Sequence, residues 1–168
     1  MCIRDSTCDL SRVGTLMFTT QQSHMNMYQL IGLASDLHQL GHYGAPGGQT
    51  LNVSMAIAWH LKHFAYFIDK CRSTPEGNGT LLDSLAASFV FEGGHGMDFG
   101  SGDPNSPHST ENMIVLLGGR AGGLKHGHHI VASGMHPANV LVSAMNAVGV
   151  PVTSLGEVEG GIPGLIGS

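Results

Sequence analysis

The stretch 88–119 constrains this chain most. It reads SFVFEGGHGMDFGSGDPNSPHSTENMIVLLGG. Two short apolar runs, Phe89–Phe91 and Met113–Leu117, bracket a polar loop of Gly, Asp, Ser and His. Runs of that length bounded by glycine suit strands buried on both faces, as in a parallel or mixed sheet. Ligands of open α/β sheets gather just beyond the carboxyl ends of the strands. Glu92, His95, Asp98, Asp103 and His108 all follow the first run, so this loop is the leading candidate for a site.

The flanking segments supply the rest of the architecture. Val13–Phe18 reads as a strand, and 21–48 as a long irregular polar connection carrying His24, His38 and His42. Thr50 or Asn52 can cap a helix running to about Cys71. Val53, Ile57, Leu61, Phe64 and Ile68 step by three and four to form its apolar stripe, with Trp59, His60, Lys62 and His63 off it. Thr74-Pro75-Glu76-Gly77-Asn78-Gly79 is a strong turn cluster. Thr80–Ala87 is a helical turn or two feeding the central strand. The run Gly118–Gly123 is too glycine-rich for regular structure, and His128–Ala132 suits a short strand. Pro137 then opens a helix at its favoured first position. Val140, Leu141, Ala144, Met145 and Val148 are its expected buried face, and Gly149 its C-terminal cap. The order of elements makes α/β the class: a partial mixed or parallel sheet flanked by helices. Residues 8–156 form the expected single domain, and the Gly- and Pro-rich tail 157–168 is expected to run over its surface. Met1–Ser6 lacks the apolar core of a signal peptide. It resembles a translated sequencing-adaptor remnant, so residues 1–7 are set apart and the protein is expected to continue upstream.

Composition excludes several classes. The chain has 168 residues, enough for one domain. Only 11% of residues are charged, the net charge is −5, and no basic stripe suited to nucleic acid is present. No apolar run approaches the ~20 residues of a membrane span. Cys2, Cys8 and Cys71 form no metal-type pair or disulfide framework. Gly118–Gly123 does not match G-x-G-x-x-G, so no nucleotide cofactor is implied. G-x-S-x-G, P-loop and C-x-x-C motifs are absent too.

Histidine is the informative residue, with 11 in the chain. His38 and His42 stand four apart, which on a helix would put both imidazoles on one face in the geometry used for zinc. Gly41 and Gly44 argue against a helix, so the pair is expected to converge through a loop, with Asp36 as an acceptor able to fix a ligand's tautomer. Glu92, His95 and His108 form a second group that could complete a nitrogen/oxygen site for zinc, iron or manganese. The alternative is a Gly/Asp/Ser loop whose polar side chains cap its own backbone. Lys125-His126-Gly127-His128-His129 is either a chelating tract, with His126 and His128 on one strand face, or an anion-facing turn in which Arg120 and Lys125 lie near glycine amides.

Several segments, in order, resemble one family. They are Asp9–Val13, Leu37–Gly44, Phe64–Lys70, Gly79–Asp83, His108, Val115–Lys125 and Val148–Pro151. Together they are similar to the C-terminal part of the HXXSHH family of bacterial proteins, the domain of unknown function 1552. The resemblance implies a longer, exported or periplasmic protein whose sheet is similar to that of the alkaline phosphatase and sulfatase superfamily. There, strand-end carboxylates and histidines hold divalent metals, and the nucleophile lies in an N-terminal half. His38 and His42 match the first and second histidines of the name-giving motif, but Gly41 stands in place of its serine and Tyr43 in place of its third histidine. The family's Lys-Thr-Gly-Arg-His appears as Lys125-His126-Gly127-His128-His129, which removes a bidentate anion donor. The expectation is a metal-dependent hydrolase-like domain acting on small phosphate or sulfate esters. His38, His42, Glu92, His95 and His108 are its candidate metal ligands and Arg120 and Lys125 its candidate anion contacts. The rival is a non-catalytic exported binding or structural protein on the same scaffold.

Overall fold

The three-and-four stripe from Val53 to Ile68 is realised as the longest element of the fold. A computed structural model describes residues 11–19, 24–42, 49–91 and 93–167. In chain order its helices are α1 (Tyr28–Ile31), α2 (Leu37–Gly41), α3 (Gln49–Ser73), α4 (Leu81–Ser84) and α5 (Ala138–Ala147), with a 3-10 turn at Ala121–Gly123. Its strands are β1 (Pro75–Glu76), β2 (Gly79–Thr80), β3 (Ala86–Val90), β4 (Gly96–Asp98), β5 (Asp103–Ser106), β6 (Val115–Gly119), β7 (Ser154–Leu155) and β8 (Val158–Glu159). The class is therefore mixed α and β. Residues 1–7, set apart above, lie outside the described residues.

The two apolar runs overlap two strands that pair with each other, although Phe91, Met113 and Ile114 fall outside them. β3 and β6 run antiparallel in unbroken register from Ala86↔Gly119 to Val90↔Val115. Every described strand pair is antiparallel, in two-stranded units β1–β2, β3–β6, β4–β5 and β7–β8. The connection between the two runs is not a bare loop, for it folds back on itself as the β4–β5 hairpin. Asp98 turns that hairpin by accepting the Gly100 N–H at 2.9 Å and the Ser101 hydroxyl at 2.6 Å.

Helix α3 is the spine against which α1, α2, α4 and β2 pack. Twenty-five residues at 1.5 Å each make it ~37 Å long. Near its start, Ala56 joins Met27 and Leu40 in a buried cluster lined by Val53, Trp59 and Leu37. At its end, Cys71 packs with Leu81 and Leu82 against Phe67 and Ile68. The buried stripe is wider than the sequence reading: His60 belongs to it, buried, its Nδ1–H donating to the Ala56 carbonyl at 2.8 Å. That bond satisfies the ring's polar edge, which is what lets an imidazole enter an apolar face. Thr50 and Asn52 lie within the helix, which begins at Gln49, so neither is its cap.

Four other local expectations are corrected. Residues 13–18 form no strand; Val13, Leu16, Met17 and Phe18 are all exposed, although the Phe18 ring lies against His60, His63 and Phe89. The segment 24–42 is not irregular but carries α1 and α2. The glycine run is regular at its start, because Gly118 and Gly119 finish β6, and Ala121–Gly123 makes only a 3-10 turn. A β-carbon on Gly118 would stand 2.4 Å from Ile68, so the missing side chain lets the strand lie flat on α3. Residues 128–132 form no strand.

The final helix starts and stops where expected but turns a different face inward. Gly149 adopts φ +81°, its N–H bonds the Asn146 carbonyl, and the Val150 N–H bonds the Met145 carbonyl, a Schellman closure. The buried residues of α5 are Asn139, Val142, Ser143, Ala144 and Ala147, whereas Leu141 and Val148 are exposed. The tail decides this rotation. The Asn139 amide donates to the Glu159 and Gly160 carbonyls at 2.8 and 2.7 Å, and the Ile162 N–H donates to Ser143 Oγ at 2.8 Å. Residues 157–167 thus do not simply run over the surface: Leu165 and Ile166 pack on Ala121, Leu124 and Ala147.

Candidate metal centre

The site begins with the short helix α2. Asp36 caps it, its Oδ1 accepting the Gln39 N–H at 2.8 Å. Leu37 packs against the first core cluster and Leu40 is buried in it, which anchors one face of the helix. Cap and anchors overcome the low helix propensity of Gly41, so the loop expected from that glycine is instead a turn of helix. His38 and His42 consequently project from one side, with their Nε2 atoms 3.0 Å apart. Gly44 lies outside the described residues.

The third imidazole arrives from far along the chain. His108 follows β5, where its N–H donates to Ser106 Oγ at 3.1 Å. Ser109, 2% exposed, donates to the Met97 carbonyl and accepts the Glu111 N–H. The Glu111 carboxylate accepts the Met97 N–H at 3.0 Å, and Gly94 donates to the Ser109 carbonyl at 2.8 Å. A β-carbon on Gly94 would fall 1.7 Å from the Glu111 carbonyl, so only glycine fits there. This stitched loop presents His108 with its Nε2 3.1 Å from that of His42.

His38, His42 and His108 thereby bring three ring nitrogens within 4.8 Å of one another. Ordinary hydrogen bonds do not account for the arrangement. A neutral Nε2 carries one proton or one lone pair, yet His42 Nε2 has two other Nε2 atoms at bonding distance. A cation at the centre would take all three lone pairs at once. Tetrahedral zinc, with nitrogen ligands at 2.0–2.1 Å, separates those ligands by roughly 3.3 Å, close to the spacings here. Burial, and then the charges of His38 and His108, hold the His42 imidazole below its ordinary pKa, keeping it neutral and able to ligate. The donor set fits zinc and other nitrogen-preferring divalent ions.

Two carboxylates flank the cluster. Asp36 Oδ2 lies 3.0 Å from Nδ1 of His24, whose ring contacts His38 at a centroid distance of 5.5 Å. The Gln39 N–H first, then His24, hold the Asp36 carboxyl below its usual range. On the other side the Ser101 hydroxyl and the Gly100 N–H lower Asp98, with a smaller contribution from His108.

The remaining sequence candidates fare differently. Glu92 lies outside the described residues. His95 is exposed and is no member of the three-nitrogen set; its N–H donates to the Glu111 carbonyl and its carbonyl accepts the Asn112 amide. For most of 93–112 the self-capping alternative holds, with His108 the exception. Arg120 donates to Asp83 at 3.3 Å, an exposed ion pair. Lys125 is exposed, and its N–H bonds the Leu165 carbonyl. His126, His128 and His129 are exposed and lie on no strand, so the same-face expectation for His126 and His128 fails. Sequence reading missed His24 beside His38; the available signal was an Asp36 already suspected of orienting an imidazole. The chain matches no family model, no curated protein and no solved structure. Among the described residues no helix is long and apolar enough to cross a membrane.

Proposed function

We propose that this chain is a divalent-metal-binding domain whose centre is His38, His42 and His108, and that it acts as a hydrolase on small phosphate or sulfate esters. The observation that carries the proposal is the convergence of three Nε2 atoms from two elements 66 residues apart, in an arrangement hydrogen bonding does not explain. A divalent ion held by three protein nitrogens would keep a fourth position for water or substrate, the pattern of catalytic rather than structural zinc sites. A bound divalent ion would supply Lewis-acid polarisation of an ester oxygen and activation of a water. The chain's own residues hold the geometry: Asp36 fixes α2, and Ser106 and Ser109 fix the loop of His108. In this reading the domain is the C-terminal part of an exported HXXSHH-type protein, and the β3–β6 ribbon is a piece of a larger mixed sheet of the alkaline-phosphatase kind. The nucleophile in this reading comes from outside this chain.

A second reading is favoured by one observation. Arg120 is engaged by Asp83, so the anion donor the hydrolase needs is already paired. A non-catalytic exported binding protein that retains the metal centre would look the same. Turnover of aryl phosphates and aryl sulfates by the zinc- or manganese-loaded full-length protein separates the two. Hydrolysis abolished by His42→Ala supports the enzyme. A loaded protein inert toward both ester classes overturns it in favour of the binding protein.

A further inference from the structure

His24 lies outside the three-nitrogen set, but its ring touches one member of it. Its ring centroid is 5.5 Å from that of His38, while His108, a member of the set, is 5.8 Å from His38. His24 reaches the cluster through His38, and its Nδ1 is held by Asp36. The backbone that carries it is pinned to the start of α2: the Leu37 N–H donates to the Met25 carbonyl, and Asn26 bridges Asp36. The ring itself is 69% exposed and touches the His38 ring and the Asp36 carboxylate.

Asp36 prepares this imidazole for a particular job. A carboxylate at Nδ1 places the ring proton there and leaves the lone pair on Nε2, the same nitrogen that the other three histidines offer. A carboxylate–imidazole pair of this kind is the usual outer support of a metal-ligating histidine. Asp36 cannot drift from the task, because its other oxygen caps the helix that bears His38 and His42.

We propose that His24 is an exchangeable fourth ligand of the centre, supplying Nε2 to the open position and giving way when an ester or anion oxygen enters. The inference rests on the metal-centre reading above and adds a resident competitor to it. The site would then be closed at rest and opened by substrate, which excludes adventitious anions from the metal.

The test uses the full chain, titrated with Co(II) and with Zn(II) in competition with a chromophoric chelator, beside His24→Ala and Asp36→Asn. Asparagine keeps the helix cap, so the second variant isolates the loss of the carboxylate from any loss of α2. His24→Ala is expected to weaken metal binding about tenfold or more, and Asp36→Asn by a smaller factor. Azide should perturb the visible cobalt spectrum of His24→Ala at concentrations that leave the wild type unchanged. The inference is overturned if both variants bind metal within about twofold of wild type and respond to azide as it does, while His38→Ala/His42→Ala loses metal. A wild type that takes up neither ion overturns the metal centre itself, and this inference with it.

Discussion

Replacing Asn139 with alanine tests how the tail is held. The side chain is 4% exposed and makes three hydrogen bonds: its amide donates to the Glu159 and Gly160 carbonyls, and its Oδ1 accepts the His136 N–H. Each is worth about 0.5–1.5 kcal/mol net, so truncation removes roughly 1.5–4.5 kcal/mol. Alanine returns roughly 0.5 kcal/mol through its better helix propensity. The expected loss is about 1–4 kcal/mol, and its central value of roughly 2.5 kcal/mol lowers the midpoint in a chain of this size by roughly 5–10 °C. Asn139→Asp sharpens the argument, since it keeps the shape but turns two donors into a carboxylate facing two carbonyl oxygens. A buried charge without donors costs more than an absent side chain, so aspartate should be the more damaging of the two. Urea unfolding followed by circular dichroism measures both. An alanine variant within about 0.5 kcal/mol of wild type, or an aspartate variant more stable than the alanine one, would refute the reasoning.

Two further outcomes follow from the same structure. Gly119 holds φ +118°, and a β-carbon there would lie 1.9 Å from the Leu85 carbonyl; Gly119→Ala should therefore destabilise by roughly 1–3 kcal/mol, and an unchanged unfolding midpoint would contradict the β3–β6 register. The His42 imidazole is held below its ordinary value of 6.5, so as pH falls through about 6.5 the unfolded chain takes up a proton that the folded chain refuses. Stability should be full above that pH and decline below it, and His42→Gln should flatten the decline between about pH 7 and 5 in denaturant titrations; a variant whose profile parallels wild type would sink the assignment.

How far the sequence foretold this molecule depends on whether the deciding contact is local. Helix α3 was legible because its stripe repeats every three or four residues, and the limits of α5 because Pro137 and Gly149 act on their own neighbours. The buried face of α5 was not, because Asn139 and Ser143 look like surface residues until the tail, some twenty positions on, supplies their partners. The strand runs at 89–91 and 113–117 were found, but run length carries no information about pairing sense, and β3 and β6 lie antiparallel. At the site, the spacing of His38 and His42 was read correctly and then discounted because of Gly41. A cap at Asp36 and a buried Leu40 outweigh one glycine. His108 was named together with Glu92 and His95 as a ligand group, and their spacing alone does not distinguish them.

The central claim is that three histidines form one metal centre. Elemental analysis of tag-free protein, purified without chelator, beside His38→Ala/His42→Ala, tests it most directly. The account predicts about one equivalent of zinc or a similar divalent ion in wild type and none in the folded variant. Folded wild type without metal, or a variant that keeps it, would contradict the account.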